Sequence, residues 1–279
     1  MTEEVPALLR MNSLAPASAY SQLDIAPTIA QTLGLQLPAS DGQPIQPASG
    51  WGCKDAVLII IDSLGYDLLL WLLPELEGVR LLLDGGHLYA ARAVSNRTTP
   101  AIASILSGLS PEHHGIFDKA GAKVSPIVSL PEIAAAAGMS CAVIMEENGA
   151  DVYRGLIDIA SGIPDSIPPE DFDRQACLLT AQAMQRKPRL LVTYFIGIDK
   201  SVHLGRDLPG IKEAARLIDT CIGRISAIAS EDTLLILCGD HPVHAGPLKR
   251  SREPYCVPLI MARGRAASSG EKQSSAGFR

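Results

Sequence analysis

Apolar runs of strand length recur along the chain, each closed by a polar or glycine-rich break. Residues 55–61, DAVLIII, and 189–196, RLLVTYFI, are the plainest, being continuous, aliphatic and rich in β-branched residues. They do not alternate, so both faces are apolar, which is the pattern of a parallel strand covered on both sides. Residues 233–238, 141–145 and 256–261 add three more, and 88–94 a weaker one. Helical patterns lie between them. Residues 20–35 predict a short helix with Asp24 as N-cap, Pro27 in the first turn and Gly34 as its stop. Further helices are predicted just beyond Asp62, from Pro100 to about Leu106, over 130–138, up to about Gln185, and over 211–229, where Leu217, Cys221 and Ile225 share a face. The proline-rich stretch 36–53 predicts a loop. From Glu146 to Asp173 the chain is acidic and rich in Gly and Pro, and no element is predicted there. Strands alternating with helices give an α/β fold with a mostly parallel sheet. A single domain is expected over 20–264, after an irregular segment 1–19 and before a Ser-, Gly- and Lys-rich tail, 265–279, that reads as disordered.

Composition narrows the function classes. The chain has 279 residues, 47% of them hydrophobic, enough for a large core. The formal charge is −6 and aromatics are 4%, so neither a basic patch nor a base-stacking platform is expected, and nucleic acid is a poor partner. Residues 56–73 are very apolar, but Asp62 and Asp67 interrupt them, which argues against a membrane span. The N-terminus lacks the apolar core of a secretory signal. The six cysteines form no CxxC pair and several sit in aliphatic runs, so they read as buried free thiols in a cytoplasmic protein.

The candidate chemistry sits where apolar strands end. The run closing at Leu237 empties into Cys238, Gly239, Asp240 and His241, with His244 just beyond. Taken alone, this stretch reads equally as a metal or acid/base site and as a capped strand end with solvated histidines. Asp62 follows the first strand directly, and Asp199 and His203 follow the strand at 189–196. Ligands in open α/β sheets bind at the carboxyl ends of strands, so these residues converge on one edge. Three Asp and three His suit two borderline metals, Zn²⁺ or Mn²⁺, better than one Ca²⁺ or Mg²⁺. Thr98 and Thr99 stand at the start of the helix that Pro100 opens, where free N–H groups favour an anion. Thr98 fits a nucleophile by position, with metal ions clamping the oxygens around a phosphorus.

The ordered set VLIIIDSLGYD, NRTTPAIASILSG, SPEHHGI, YFIGIDKSVHLG, LLILCGDHPVHAG and CVPLIMARG, spanning about 55–264, resembles the alkaline phosphatase superfamily. It is nearest to the type I phosphodiesterase/nucleotide pyrophosphatase branch, with echoes of cofactor-independent phosphoglycerate mutase. The resemblance implies a three-layer α/β/α sandwich without a large cap insertion and two divalent metal ions, Zn²⁺ or Mn²⁺. It also implies hydrolysis of a small-molecule phosphate mono- or diester through a phospho-threonine intermediate. By position, Thr98 matches the nucleophile, two residues before Pro100 and ten before Gly108, with Thr99 as the fallback. Asp62, Asp240, His241 and Thr98 match one metal site; Asp199 and His203 match the other, which His244 would complete.

The chain departs from this pattern at Ala101, where the branch often has Asn, at Pro242, where Gly is usual, and at the final His, which often lies far downstream. The superfamily's C-terminal element matches Asp24–Ile45, DIAPTIAQTLGLQLPASDGQPI, near the start of this chain. A circular permutation is inferred, since closely spaced surface termini tolerate one. Two other functions stay open at this point: a phosphotransferase or mutase, and a degenerate member that binds without catalysis. A sulfatase is disfavoured because no C/S-x-P-x-R motif occurs. His113 and His114 read as structural or rim residues, Asp67 and Asp219 as solvated, and Lys200 as a weak contact for a substrate phosphate.

Overall fold

The computed structural model describes residues 19–246, 248, 249 and 255–265; most of the expected irregular leader and tail lies outside them. The described chain opens with strand β1 (Tyr20–Ser21), a 3₁₀ turn at Gln22–Asp24 and helix α1 (Ile25–Leu33), which Gly34 stops at φ 72°. The stretch expected to be a loop contains one helical turn, α2 (Gln46–Ser49). Strand β2 (Asp55–Ile61) leads to α3 (Tyr66–Leu72), α4 (Glu77–Leu83) and β3 (Gly86–Arg92). Then come α5 (Thr98–Ser107), α6 (Pro111–His114), α7 (Lys119–Val124) and α8 (Leu130–Ala136). The second half runs β4 (Cys141–Glu146), α9 (Glu147–Tyr153), β5 (Ile159–Ile163), α10 (Pro169–Gln185), β6 (Leu190–Phe195), α11 (Gly197–His203), α12 (Leu208–Ile228), β7 (Thr233–Gly239) and β8 (Cys256–Arg263).

Among the described residues the strands form one sheet in the order β1-β3-β8-β7-β2-β6-β4-β5. Only β8 runs antiparallel, pairing with β3 and β7. β2 sits at the centre, with Ile61 opposite Phe195 on one side and Gly239 on the other. β6 and β7 are buried at every position, so helices must cover both faces of the sheet. Leu58, Ile59 and Ile60 are fully buried, and each such side chain stabilises the fold by about 1.5–3 kcal/mol.

Three sequence expectations are corrected. The acidic Gly/Pro stretch holds α9 and β5, which add to the sheet edge beside β4. Asp219 is buried rather than solvated: its carboxylate accepts the Gly78 and Val79 N–H groups (2.9 and 2.8 Å) at the start of α4. The six cysteines are not all free thiols, because Cys177 of α10 is bonded to Cys221 of α12, with Cα atoms 5.5 Å apart. Cys53, Cys141, Cys238 and Cys256 are buried and form no disulfide.

Candidate active site

The register of β2 against β6 and β7 ends three strands level, and each delivers a carboxylate to the same edge. Asp62 follows β2, Asp240 follows β7, and Asp199 lies in the first turn of α11 after β6. Gly239 is needed here, since a Cβ would collide with the Leu64 carbonyl.

Asp62, Asp240 and His241 form one group of potential metal donors and Asp199, His203 and His244 a second. In the first, His241 is fully buried, with Nε2 3.4 Å from Asp62 Oδ1 and 3.5 Å from Asp240 Oδ2. Its Nδ1 faces the Pro242 carbonyl at 3.1 Å. A proton on Nδ1 donated there leaves the Nε2 lone pair aimed at the carboxylates, the tautomer a metal-binding imidazole adopts. Asp62 Oδ2 accepts a hydrogen bond from the buried Tyr194 hydroxyl. Asp240 Oδ1 accepts from the Ser63 and His241 N–H groups (3.0 and 2.7 Å). Asp62 Oδ1 and Asp240 Oδ2 are buried with no hydrogen-bond partner. Burial in this unpaired state, reinforced by the neighbouring carboxylates, pushes both acids well above the usual range.

In the second group, His203 Nε2 lies 3.5 Å from Asp199 Oδ1. The His244 ring is 5.1 Å from that of His203 and 4.9 Å from that of His241, centroid to centroid. His244 therefore stands between the two groups. Its Nδ1 is buried without a partner, and burial followed by His241 lowers its pKa, keeping the ring neutral and able to donate a lone pair.

Thr98 begins α5, whose N-terminus has no side-chain cap, and its Oγ1 lies 3.2 Å from His241 Nε2. The expected site residues Asp62, Thr98, Asp199, His203, Asp240, His241 and His244 are thus brought to one place. Thr99 and Lys200 line the cavity beside them. His114 is buried elsewhere, against Ser104 Oγ at 3.0 Å, and His113 pairs with Asp41 on the surface.

Sequence reasoning missed three supporting side chains. Ser63 donates its hydroxyl to Asp199 Oδ1 at 2.7 Å and lies 3.3 Å from His241 Nδ1, so it touches both groups. Tyr194 was legible in principle, because a Tyr inside a buried strand needs a partner for its hydroxyl. Gln22, fully buried, donates from Nε2 to the carbonyls of Gly239 (2.9 Å) and Asp240 (2.6 Å) and accepts the Val94 N–H at Oε1 (2.9 Å). No local pattern marks it.

Comparison with known proteins agrees with this architecture. The family described as type I phosphodiesterase / nucleotide pyrophosphatase matches residues 140–253. Phosphonoacetate hydrolase from Sinorhizobium meliloti, solved with phosphonoacetate, is similar over 67% of this chain and 56% of its own, at 11% identity and TM-score 0.57. An alkaline phosphatase superfamily protein from Vibrio parahaemolyticus matches 77% of this chain and 61% of its own, at 16% identity and TM-score 0.54. A putative sulfatase from Bacteroides thetaiotaomicron matches 75% and 64%, at 10% identity and TM-score 0.59. At these identities the likeness is one of fold: the chain has the alkaline-phosphatase-like α/β architecture that its sequence resembles. It spans little more than half the length of the phosphonoacetate hydrolase. No curated protein matches the sequence. Among the described residues, no helix is long and apolar enough to cross a membrane.

Proposed function

We propose that the protein is a metal-dependent hydrolase of small-molecule phosphate esters with Thr98 as nucleophile. The observation that carries this reading is Thr98 Oγ1, 3.2 Å from His241 Nε2, at an uncapped helix N-terminus beside two Asp/His groups. The donors fit divalent ions, because buried carboxylate oxygens and a buried imidazole nitrogen lack hydrogen-bond partners. Mixed carboxylate and imidazole ligands favour Zn²⁺, with Mn²⁺ next. Asp62, Asp240, His241 and Thr98 would hold one ion, and Asp199, His203 and His244 the other. Such ions would offset the buried negative charge, acidify a bound hydroxyl and polarise the phosphoryl oxygens.

The chain's own part is positional. Asp62 is fixed by the Tyr194 hydroxyl and Asp240 by the Ser63 and His241 backbone N–H groups, so their free oxygens stay directed inward. Thr98 Oγ1 points at the same spot, and the free N–H groups at the start of α5 favour a phosphoryl oxygen there. The segment TTPAI offers no Arg after the proline, which weighs against a sulfatase despite the sulfatase-like neighbour. The permuted chain order belongs to the same reading. It is supported by residues 20–24, which join the sheet edge through β3, beside β8, and hold the end of β7 through Gln22. One domain over 20–264 is proposed with it.

Metal-replete protein should hydrolyse p-nitrophenyl phosphodiesters or monoesters. Thr98→Ala should reduce that rate by about 10³-fold or more while retaining metal. Full activity in Thr98→Ala would overturn the mechanism.

A further inference from the structure

A cavity of about 270 Å³ opens beside Thr98, Asp62 and Asp199, between α5 and the segment that runs from α7 to α9. Its wall is built from Ile102, Leu106, Ile116, Ile127, Met145 and Val152. Apart from Asp62, Asp199 and Lys200 at the reacting end, the charged side chains that line it are engaged by neighbours. Lys119 lies 3.6 Å from Glu146 and 3.4 Å from Asp165. Glu146 also accepts the Asn148 and Gly149 N–H groups (2.7 and 3.0 Å), and Glu132 accepts the Ser129 N–H at 2.8 Å.

Two features of a nucleotide pocket are missing from the described lining. Among the described residues no arginine lines the cavity to clamp further phosphates. Among the described residues only Tyr153 and Tyr194 bring rings to it, and they are 5% and 1% exposed, with hydroxyls held at Ser129 and Asp62, so neither offers a free face for a base. The outer wall also exposes Phe117, Val124 and Val128, interleaved with the exposed Asp118 and Lys123. Apolar walls next to a polar reacting centre select a ligand with one charged end and one hydrophobic body.

We propose that this cavity takes an aliphatic group, so that the substrate is an alkyl phosphate ester rather than a nucleotide. The proposal rests on the Thr98 site being a phosphate-ester centre.

The test is calorimetric binding of methylphosphonate, hexylphosphonate and thymidine 5′-monophosphate to the metal-replete protein and to Ala122→Phe and Ala103→Phe, which narrow the cavity. Hexylphosphonate should bind about tenfold or more tightly than methylphosphonate, given the gain per buried methylene, and more tightly than the nucleotide. Either variant should remove the chain-length gain while leaving methylphosphonate affinity unchanged, which also shows that the variant is folded. If methylphosphonate binds but the hexyl chain adds nothing, or the nucleotide binds more tightly than both, the alkyl assignment falls and the phosphate centre stands. If neither phosphonate binds, the phosphate-ester reading itself fails and takes this proposal with it.

Discussion

Ser63 donates its hydroxyl hydrogen to Asp199 Oδ1 at 2.7 Å from a backbone held at φ 60°. The left-handed region favours glycine, so a serine there carries a conformational cost that its contacts must offset. Ser63→Gly keeps the N–H bond to Asp240 and deletes the hydroxymethyl side chain. Stability should stay within about 1 kcal/mol of wild type, because strain relief offsets the lost bond. Metal affinity should fall about tenfold, as expected for a partner that orients a ligand. Unchanged affinity in a metal titration would remove Ser63 from any positioning role.

Metal uptake should displace protons. Burial raises the Asp62 and Asp240 pKa values, so the metal-free protein holds protons on this pair that an arriving cation must expel. Apparent affinity for Zn²⁺ should therefore weaken as pH falls below neutrality. Calorimetric titrations in buffers of different ionisation enthalpy should report net proton release. Elemental analysis should find about two ions per chain, and His203→Ala about one. Buffer-independent heats would count against the assignment.

Asp173 supplies a separate pH dependence. Burial raises its pKa to about 7, although Ile196 and Gly197 donate backbone N–H bonds to it at 3.0 and 3.1 Å. A raised carboxyl pKa means the native state binds the proton that the unfolded chain has lost. Its contribution is thus fully present below about pH 4 and is lost as pH rises to about 7. Urea denaturation of wild type and Asp173→Asn should show a stability difference that changes by a few kcal/mol across this window and is flat above it. A difference independent of pH would show that Asp173 is already ionised in mild acid.

The Cys177–Cys221 bond closes a loop with a sequence separation of 44 between adjacent helices. Reduction, or Cys177→Ser, should lower the unfolding free energy by about 2–4 kcal/mol through the larger freedom of the unfolded chain. Thiol titration of the denatured, unreduced protein should find the four thiols of Cys53, Cys141, Cys238 and Cys256. Six reactive thiols would mean that the bond does not form.

The sequence revealed the central strands because burial on both faces leaves an uninterrupted aliphatic record, as in β2 and β6. β5 left almost none: its residues IASGI lie at the sheet edge, largely half-buried, with Gly162 among them. The antiparallel course of β8 was also illegible, because direction is set by the connection rather than by composition. Asp240 and His241 announced themselves by following a strand. Ser63, Gln22 and Asp219 did not, since each satisfies backbone or side-chain groups distant in sequence. Such partners are properties of the fold, and a short polar side chain looks the same with or without them.

Gln22 ties the two ends of the fold together in time as well as in space. Its side-chain amide reaches carbonyls 217 and 218 positions further along the chain. During synthesis Gln22 therefore emerges long before the strand end that it steadies. The closing contacts at Asp240 must wait until β7 has been made and paired with β2. Contacts of such sequence separation are slow to form. The edge proposed to hold metal should be among the last parts of the protein to take shape, and a chain halted before residue 240 should bind no ion at the Asp62 position.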